Sequence, residues 1–170
     1  LLGQRAVIFV SVGSMLPFER LVQAMDNWAA AHPDVPVTIQ YGSGVYKPRH
    51  AQGFVMTTAA QYRQLVAEAQ LFVAHAGMGS IITAIEAGKP LLMLARLQAL
   101  GEHNTDHQVW TSQSIGSRPG LYVATDEHDL VATIDRLLAS GAAVPAPISP
   151  TASPELIGNI RKFIAGSRKH

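Results

Sequence analysis

The sequence predicts an α/β domain in which a mostly parallel sheet carries helices on both faces. Short apolar runs alternate with longer amphipathic stretches along the 170 residues, and glycine or proline stands at many of the junctions. This alternation is typical of repeated βα units, whose strands pair in parallel and are buried on both sides. A content of 48% hydrophobic and 15% charged residues excludes a disordered chain.

Each predicted strand is a short aliphatic or β-branched run that ends at turn residues. The first run stops at the pair Gly13 and Ser14, and the fourth leads directly into a glycine-rich turn. A helical pattern follows most of the runs, which favours crossover connections and therefore parallel pairing. The predicted strands are residues 6–12, 35–41, 54–56, 71–73, 91–94 and 120–124.

Each predicted helix places apolar residues three and four apart, which is the spacing of one buried face. Pro17 suits the first turn of the first helix, and Gly88 closes the third. The stretch 142–154 contains four prolines and predicts a linker, after which the last helix is expected to cross back over the sheet. We expect one domain over residues 1–170. The predicted helices are residues 17–31, 59–69, 81–88, 106–114, 129–140 and 154–165.

Charge and cysteine content exclude several classes of protein. A net charge of +1 provides no basic field for non-specific binding of nucleic acid. The lack of cysteine excludes a disulfide scaffold and a thiolate zinc site, and it suits a reducing compartment. No apolar run has the length of a signal sequence or a membrane span. We therefore expect a cytoplasmic protein, in which any contact with a membrane is peripheral or made through a partner.

The strongest functional feature is the segment 74–80, Ala-His-Ala-Gly-Met-Gly-Ser, which joins a strand to a helix. Its glycines let a ligand approach the backbone, and a helix start offers free N–H groups to an anion. His75 adds a side-chain donor. The segment is neither a dinucleotide fingerprint nor a Walker loop, since the third glycine and the Gly-Lys-Ser run are missing. We expect a nucleotide diphosphate here; the alternative is a structural histidine.

Other polar residues fall on the same edge of the sheet, where the carboxyl ends of parallel strands meet. Gly13 and Ser14 face a phosphate or sugar, or else form a plain strand-to-helix turn. Thr83 and Glu86 share a helix face with Ser80, three and six residues along. A carboxylate reaching back toward the helix start could accept hydrogen bonds from ribose hydroxyls. The alternative is a solvated glutamate.

The segment 101–108, Gly-Glu-His-Asn-Thr-Asp-His-Gln, concentrates polar groups in a loop on this edge. His103 and His107 have the i, i+4 spacing of metal ligands, but a third ligand is missing. Carboxylate, amide and imidazole groups also suit the hydroxyls of a hexose. A helix cap with a polar surface is the third interpretation. We favour contact with a sugar.

Together these motifs resemble the C-terminal, donor-binding half of glycosyltransferase family 28. The resemblance runs through most of the chain. It is closest to small stand-alone catalytic subunits, those of dolichol-linked GlcNAc transfer and of bacterial exopolysaccharide synthesis. It implies a Rossmann-like fold, the C-terminal half of a GT-B glycosyltransferase. The segments that carry it are residues 9–14, 17–22, 75–80, 86–90, 101–103, 106–108 and 118–123.

The resemblance implies a UDP-sugar donor, no further cofactor and no strict need for a metal. Family members usually carry a glutamate where this chain has Thr83, so the ribose contact passes to Glu86, becomes a weaker hydroxyl contact or is lost. Catalytic roles are implied for His75, Glu102 and His103. Donor contacts, from the uracil to the sugar, are implied for Met56, Thr57, Thr83, Glu86, Gly13, Ser14, His75, Gly77, Met78, Gly79, Ser80, Asp106, His107 and Gln108.

The resemblance also implies that the acceptor is bound by another polypeptide. Inversion requires a general base beside the acceptor hydroxyl, and in two-lobed relatives that base belongs to the acceptor half. We expect this chain alone to be inactive or weakly active. A membrane-anchored subunit would bring a polyprenyl-diphosphate-linked saccharide acceptor. The alternatives are a non-catalytic nucleotide-sugar-binding subunit that enhances a partner transferase, and a UDP-sugar epimerase.

Overall fold

The computed structural model of the chain describes residues 7–149 and 151–167. Within them a six-stranded sheet has the order β3-β2-β1-β4-β5-β6, and every neighbouring pair is parallel. The predicted mostly parallel α/β sheet is therefore confirmed. The strands are β1 (Ile8–Ser11), β2 (Val37–Gln40), β3 (Gln52–Phe54), β4 (Leu71–His75), β5 (Leu91–Leu94) and β6 (Leu121–Ala124).

Helices connect these strands and cover both faces of the sheet. Alternate residues of β1 point to opposite faces, so that Val10 packs in the layer with α1 and α5 while Phe9 packs with α2 and α3. A short 3₁₀ turn, Gln98–Leu100, follows β5. The helices are α1 (Glu19–Ala31), α2 (Ala59–Glu68), α3 (Met78–Glu86), α4 (His107–Ile115), α5 (Glu127–Ser140) and α6 (Pro154–Ser167).

The order of the strands reverses between β1 and β4. The chain moves outward from β1 to β2 and β3, then returns to the other side of β1 with β4. The two central strands end together, since Ser11 pairs with Ala74 at their carboxyl ends. A crevice forms at such a switch point because the two connecting segments leave in opposite directions. The turns after Ser11 and after His75 both lie there.

The third strand lies two residues earlier than the predicted 54–56. Gln52, Gly53 and Phe54 pair with residues 38–40 of β2, and the first two are exposed. An exposed edge strand that contains glycine carries no apolar pattern, so the apolar residues that follow it were predicted as the strand instead. Those residues, Val55 and Met56, follow the strand and are about half exposed, and the Val55 carbonyl accepts from the Gly42 amide at 3.2 Å.

The proline-rich segment and the last helix also differ from expectation. Part of the predicted linker packs on the sheet, since Pro145 is buried against the backbone of Gly120 and the amide of Ala143 donates to the Tyr122 hydroxyl at 2.8 Å. None of the side chains described in α6 is buried. The expectation that this helix packs across the sheet is wrong. Among the residues described, no helix is long and apolar enough to cross a membrane.

Candidate functional site

A cleft of about 600 Å³ lies at the carboxyl edge of the sheet, over the switch point between β1 and β4. The turn after β1, the end of β2, the segment before α2, the start of α3 and the loop after β5 form its walls. Most of the sequence-predicted donor contacts reach it. Its lining residues are Val12, Gly13, Ser14, Met15, Leu16, Gln40, Met56, Thr57, Ala59, Tyr62, Arg63, His75, Gly79, Ser80, Thr83, Glu86, Arg96, His103 and Gln108.

His75 lies at the base of the cleft, with its ring against two glycines. A Cβ built on Gly13 would approach Cε1 of the imidazole to 2.6 Å, and one on Gly77 would overlap the ring from the other segment. Gly13 also has a φ of +82°, a conformation that disfavours any side chain. These two glycines therefore make the space that the imidazole occupies. The sequence identified them for close approach to a ligand, but here they also accommodate His75.

Burial lowers the pKa of His75 to about 4, and the positive charge of Arg96 acts in the same direction. The imidazole is therefore neutral at pH 7. Its Nδ1 is buried and has no hydrogen-bond partner among the described residues. A neutral imidazole carries one N–H donor and one acceptor. His75 can thus offer a hydrogen bond to a phosphate oxygen but does not bring a positive charge of its own.

Helix α3 starts beside this imidazole and has no side-chain cap. Its N-cap is Gly77, and the first turn, which starts at Met78, contains no acidic residue. The amides of the first turn have no carbonyl within the helix to bond to, and the helix dipole makes this end partially positive. An uncapped helix start that opens into a cleft is suited to bind an anion. The strand end, the glycines and the helix start on which the anion-site prediction depends therefore lie together, and binding of an anion there stays a prediction.

Arg96 is a cleft residue that the sequence analysis did not select. Arg96 follows β5 after one intervening residue and is 3% exposed. The guanidinium donates to the carbonyls of Val12 at 2.7 Å and Leu16 at 2.6 Å, and lies 4.8 Å from the centre of the Phe18 ring. Burial lowers the pKa of Arg96 to about 10, so it remains charged at neutral pH. Its position at a strand's carboxyl end was the sequence signal that could have identified it.

Gln40 is a second residue that the sequence analysis missed. It is buried at the end of β2, where its Nε2 donates to the carbonyls of Gly13 at 2.9 Å and Val55 at 3.0 Å. Its Oε1 accepts from the Ser11 hydroxyl at 2.8 Å. One amide side chain thereby connects the turn after β1 with the segment that carries Met56. The two loops that flank this end of the cleft are held together from below.

Both residues that the resemblance places near a ribose, Thr83 and Glu86, line the cleft. The Thr83 hydroxyl donates to the Gly79 carbonyl at 2.8 Å, which uses its only proton and leaves its oxygen as an acceptor. Glu86 is exposed and lines the cleft one helical turn further on. Met56 and Thr57 form the opposite side, beside Arg63 of α2. The only carboxylate at this end is therefore the one at position 86, within the residues that the structure describes.

Glu102 does not line the cleft. Its two carboxylate oxygens each accept a hydrogen bond from Arg20 at 2.9 Å, and Oε2 also accepts from the amide of Leu97 at 2.9 Å. Each side chain of this pair is 11% exposed, and both line a second cavity that Glu127 also lines. These contacts raise the pKa of Arg20, chiefly through the hydrogen bonds that it donates to Glu102. The structure thus gives Glu102 a bracing position rather than a place beside a substrate.

The other residues of the segment 101–108 are divided between cleft and surface. His103 lines the cleft, and its ring packs edge-on against that of His107, 4.4 Å away. Gln108 lines it too, although its Oε1 accepts from the Arg96 amide at 3.2 Å. His107 is exposed and bonds to a neighbouring hydroxyl, while Asp106 accepts from the Gln98 amide at 2.9 Å. In the described ranges, no three histidine or acidic side chains gather as metal ligands.

Comparison with known proteins places this geometry in context. Residues 7–154 match the glycosyltransferase family 28 C-terminal domain. The UDP-N-acetylglucosamine transferase subunit ALG13 of Yarrowia lipolytica is 23% identical over 136 residues, covering 71% of this chain and 65% of that protein. The match thus spans somewhat less than two thirds of that relative.

Solved structures share the fold at low sequence identity. The glycotransferase of kitacinnamycin superimposes with a TM-score of 0.61 and 21% identity, covering 96% of this chain and 40% of that enzyme. The NMR solution structure of ALG13 gives a TM-score of 0.54 and 17% identity, with 92% of this chain and 95% of that one covered. The fold is therefore the Rossmann-like half of a GT-B glycosyltransferase.

Proposed function

Since the chain belongs to glycosyltransferase family 28, whose C-terminal domain it matches, we propose that it is the donor-binding catalytic subunit of an inverting, UDP-sugar-dependent hexosyltransferase. The observation that supports the proposal most is the uncapped start of α3 beside His75, at the switch point of the sheet. The hexose goes to a polyprenyl-diphosphate-linked saccharide in polysaccharide synthesis.

In the proposed reaction, negative charge develops on the diphosphate as it leaves the hexose. The bond between C1 of the hexose and the β-phosphate oxygen breaks, and its electron pair leaves on that oxygen. The acceptor hydroxyl forms the new bond to C1 from the opposite face and gives its proton to a general base. Preorganised N–H groups of residues 78–80 and the neutral imidazole of His75 stabilise the departing diphosphate. Because these donors stabilise the developing negative charge, we propose that no metal is strictly required.

The remaining donor contacts follow the length of the cleft. Met56 and Thr57 lie near the uracil, and Glu86 accepts from the ribose. Thr83 contributes at most its hydroxyl oxygen as an acceptor, since the hydroxyl already donates to the Gly79 carbonyl. At the opposite end, His103 and Gln108 line the cleft where the hexose would extend. Glu102 supports this loop through Arg20 instead of reacting.

We propose that a membrane-anchored subunit supplies the acceptor site and the general base. The curated relative is described as a transferase subunit, which supports a partner for this chain as well. The cleft is open on the side away from the sheet, so a second polypeptide could close it. The chain then works at the cytoplasmic, inner face of the membrane.

A thermal-shift series tests the donor assignment. The purified chain is heated with UDP, a UDP-hexose, GDP, ATP or NAD, each over a range of concentrations. A ligand that binds only the native state raises the melting temperature as its concentration exceeds Kd. We expect shifts with UDP and the UDP-hexose only. A shift by ATP or NAD of equal size would contradict the proposal.

The alternative function is that of a non-catalytic subunit that binds a nucleotide sugar and enhances a partner transferase. His75→Ala distinguishes them when sugar incorporation into the lipid extract of membranes is measured in cells that carry the variant. A catalytic subunit loses incorporation by at least about 100-fold, since a donor to the developing charge is removed. An enhancing scaffold retains it. His128→Ala, which alters an exposed histidine of α5, is the matched control.

A further inference from the structure

Arg96 is a buried cation without a carboxylate partner. Its side chain is 3% exposed, yet within the described part of the chain all the acceptors of its guanidinium are backbone carbonyls. Buried arginines are usually paired with a carboxylate, because an isolated charge is costly to desolvate. The closest candidate, Glu102, has both oxygens on Arg20. Glu102 is near enough to raise the pKa of Arg96 but forms no ion pair with it, so the positive charge is solvated chiefly by peptide dipoles.

The four carbonyls come from two loops that border the cleft. Val12, Leu16 and Pro17 belong to the turn between β1 and α1, and Glu102 belongs to the loop after β5. These partners are remote from Arg96 in sequence, apart from the last. One planar guanidinium thus joins the turn that contains Gly13 and Ser14 to the loop that contains His103.

Two further contacts fix the position of Arg96 itself. The Phe18 ring, which is fully buried at the start of α1, lies beneath the guanidinium. The backbone amide of Arg96 donates to Gln108, another residue of the cleft. The guanidinium is therefore held from below and from the side, and four of its five N–H groups have carbonyl acceptors. Little of the donor capacity remains for a ligand.

We propose that Arg96 is a positioning residue of the donor site, which holds the turn at residues 12–17 and the loop at residues 97–103 in register and keeps a fixed positive charge beneath the diphosphate. It acts through the two loops and through space, without direct contact to the donor. The part of this inference that concerns the diphosphate rests on the proposed function. The part that concerns the two loops does not.

A lysine at position 96 cannot reproduce the hydrogen bonds of the guanidinium. Its ammonium has three donors on a flexible stem, whereas the guanidinium presents five in a rigid plane. Arg96→Lys keeps the charge but loses part of the bridge between the loops. Arg96→Met keeps the apolar stem over Phe18 but loses both the charge and the hydrogen bonds to the loops. The two variants therefore separate the charge from the hydrogen bonds.

The experiment measures both properties in the free protein and then adds UDP. Hydrogen exchange of the amides of residues 13–18 and 97–104 reports on the loops. The NMR titration of the His75 ring C–H reports on the nearby charge, since Arg96 and, more weakly, His103 lower the pKa of that imidazole. Calorimetry gives the Kd for UDP. Arg136→Met, at an exposed position of α5, is the matched control.

In Arg96→Met we expect exchange in both segments to rise at least tenfold, His75 to titrate at higher pH and UDP to bind at least tenfold more weakly. In Arg96→Lys the loops exchange faster while the titration of His75 stays near that of the wild type. If Arg96→Met does not fold, hydrogen exchange of the same two segments in Arg96→Lys tests the proposal. If both segments exchange in the variants at the same rate as in the wild type, the proposal is wrong. Failure of the wild-type protein to bind UDP would instead overturn the proposed function.

Discussion

The imidazole of His75 occupies the space that a side chain at Gly77 would need. Any Cβ at that position would overlap the Nε2 edge of the ring, and a Cβ at Gly13 would approach it to 2.6 Å from the other side. The two turns at the centre of the sheet are thus matched to one histidine. In the proposed function this imidazole and the start of α3 meet the same diphosphate.

Gly77→Ala should therefore displace His75. Because the ring is enclosed by backbone, relief requires movement of the turn, and we expect the free energy of unfolding to fall by about 1–3 kcal/mol. UDP affinity should fall at least about tenfold, since the donor set is no longer aligned. Denaturant unfolding and calorimetry measure the two effects.

Gly79→Ala is the matched control for that substitution. It adds the same methyl group two residues further along the same helix, where a Cβ would meet nothing within 4 Å. Alanine favours a helix over glycine by roughly 1 kcal/mol, so the stability should stay constant or rise. Equal destabilisation by both variants would contradict the role assigned to the His75 ring.

The buried imidazole should also make stability depend on pH. The pKa of His75 is about 4 in the folded chain against an ordinary value of 6.5, so protonation favours the unfolded chain. The stabilisation is complete above about pH 6.5 and is lost as the pH falls toward 4. A shift of this size corresponds to roughly 3 kcal/mol.

Unfolding by urea between pH 7 and pH 4 measures this loss. His75→Gln, which has no group that titrates in the window, should lose less stability over the same range than the wild type. His128→Gln, on the exposed face of α5, should lose as much as the wild type. A His75 ring that titrates near its ordinary value by NMR would contradict the burial on which the prediction rests.

Glu102→Gln should affect stability more than nucleotide binding. The substitution removes a charge from a pair with Arg20 that is 11% exposed on both sides, and we expect a loss of about 1–3 kcal/mol. The Kd for UDP should change less than about threefold, because the side chain lies outside the cleft.

Glu127→Gln provides the comparison for Glu102→Gln. It contacts the same guanidinium at 3.2 Å but is 40% exposed, so its loss should cost at most about 1 kcal/mol. The melting temperatures of both variants, with and without UDP, give the ranking. If Glu102→Gln kept its full stability but lost UDP binding, the bracing position assigned to Glu102 would be wrong.

Local sequence patterns predicted most of the fold. The run Leu91–Leu94 is a buried strand because four apolar residues are bounded by proline and a polar loop. The geometry of the candidate anion site was predictable for the same reason, since strand, glycines and helix start are consecutive. The edge strand Gln52–Phe54 was not, because its only pattern is its pairing with β2.

Contacts between distant segments account for what the sequence did not reveal about the site. Arg96 binds carbonyls some eighty positions earlier in the chain, and Arg20 meets Glu102 across 82 positions. Both depend on the order of the strands. The sequence grouped Glu102 with His103 as a catalytic candidate, but the pair points in two directions: one side chain reaches α1 and the other lines the cleft.

The most direct test of the central claim is an NMR titration of the ¹⁵N-labelled chain with UDP. We predict that the amide resonances of residues 13–14 and 77–80 shift together and saturate at one Kd. The His75 ring signals should move with them, while those of α5 stay unchanged. Shifts confined to other surfaces, or no shift at millimolar UDP, would contradict a diphosphate site at the start of α3.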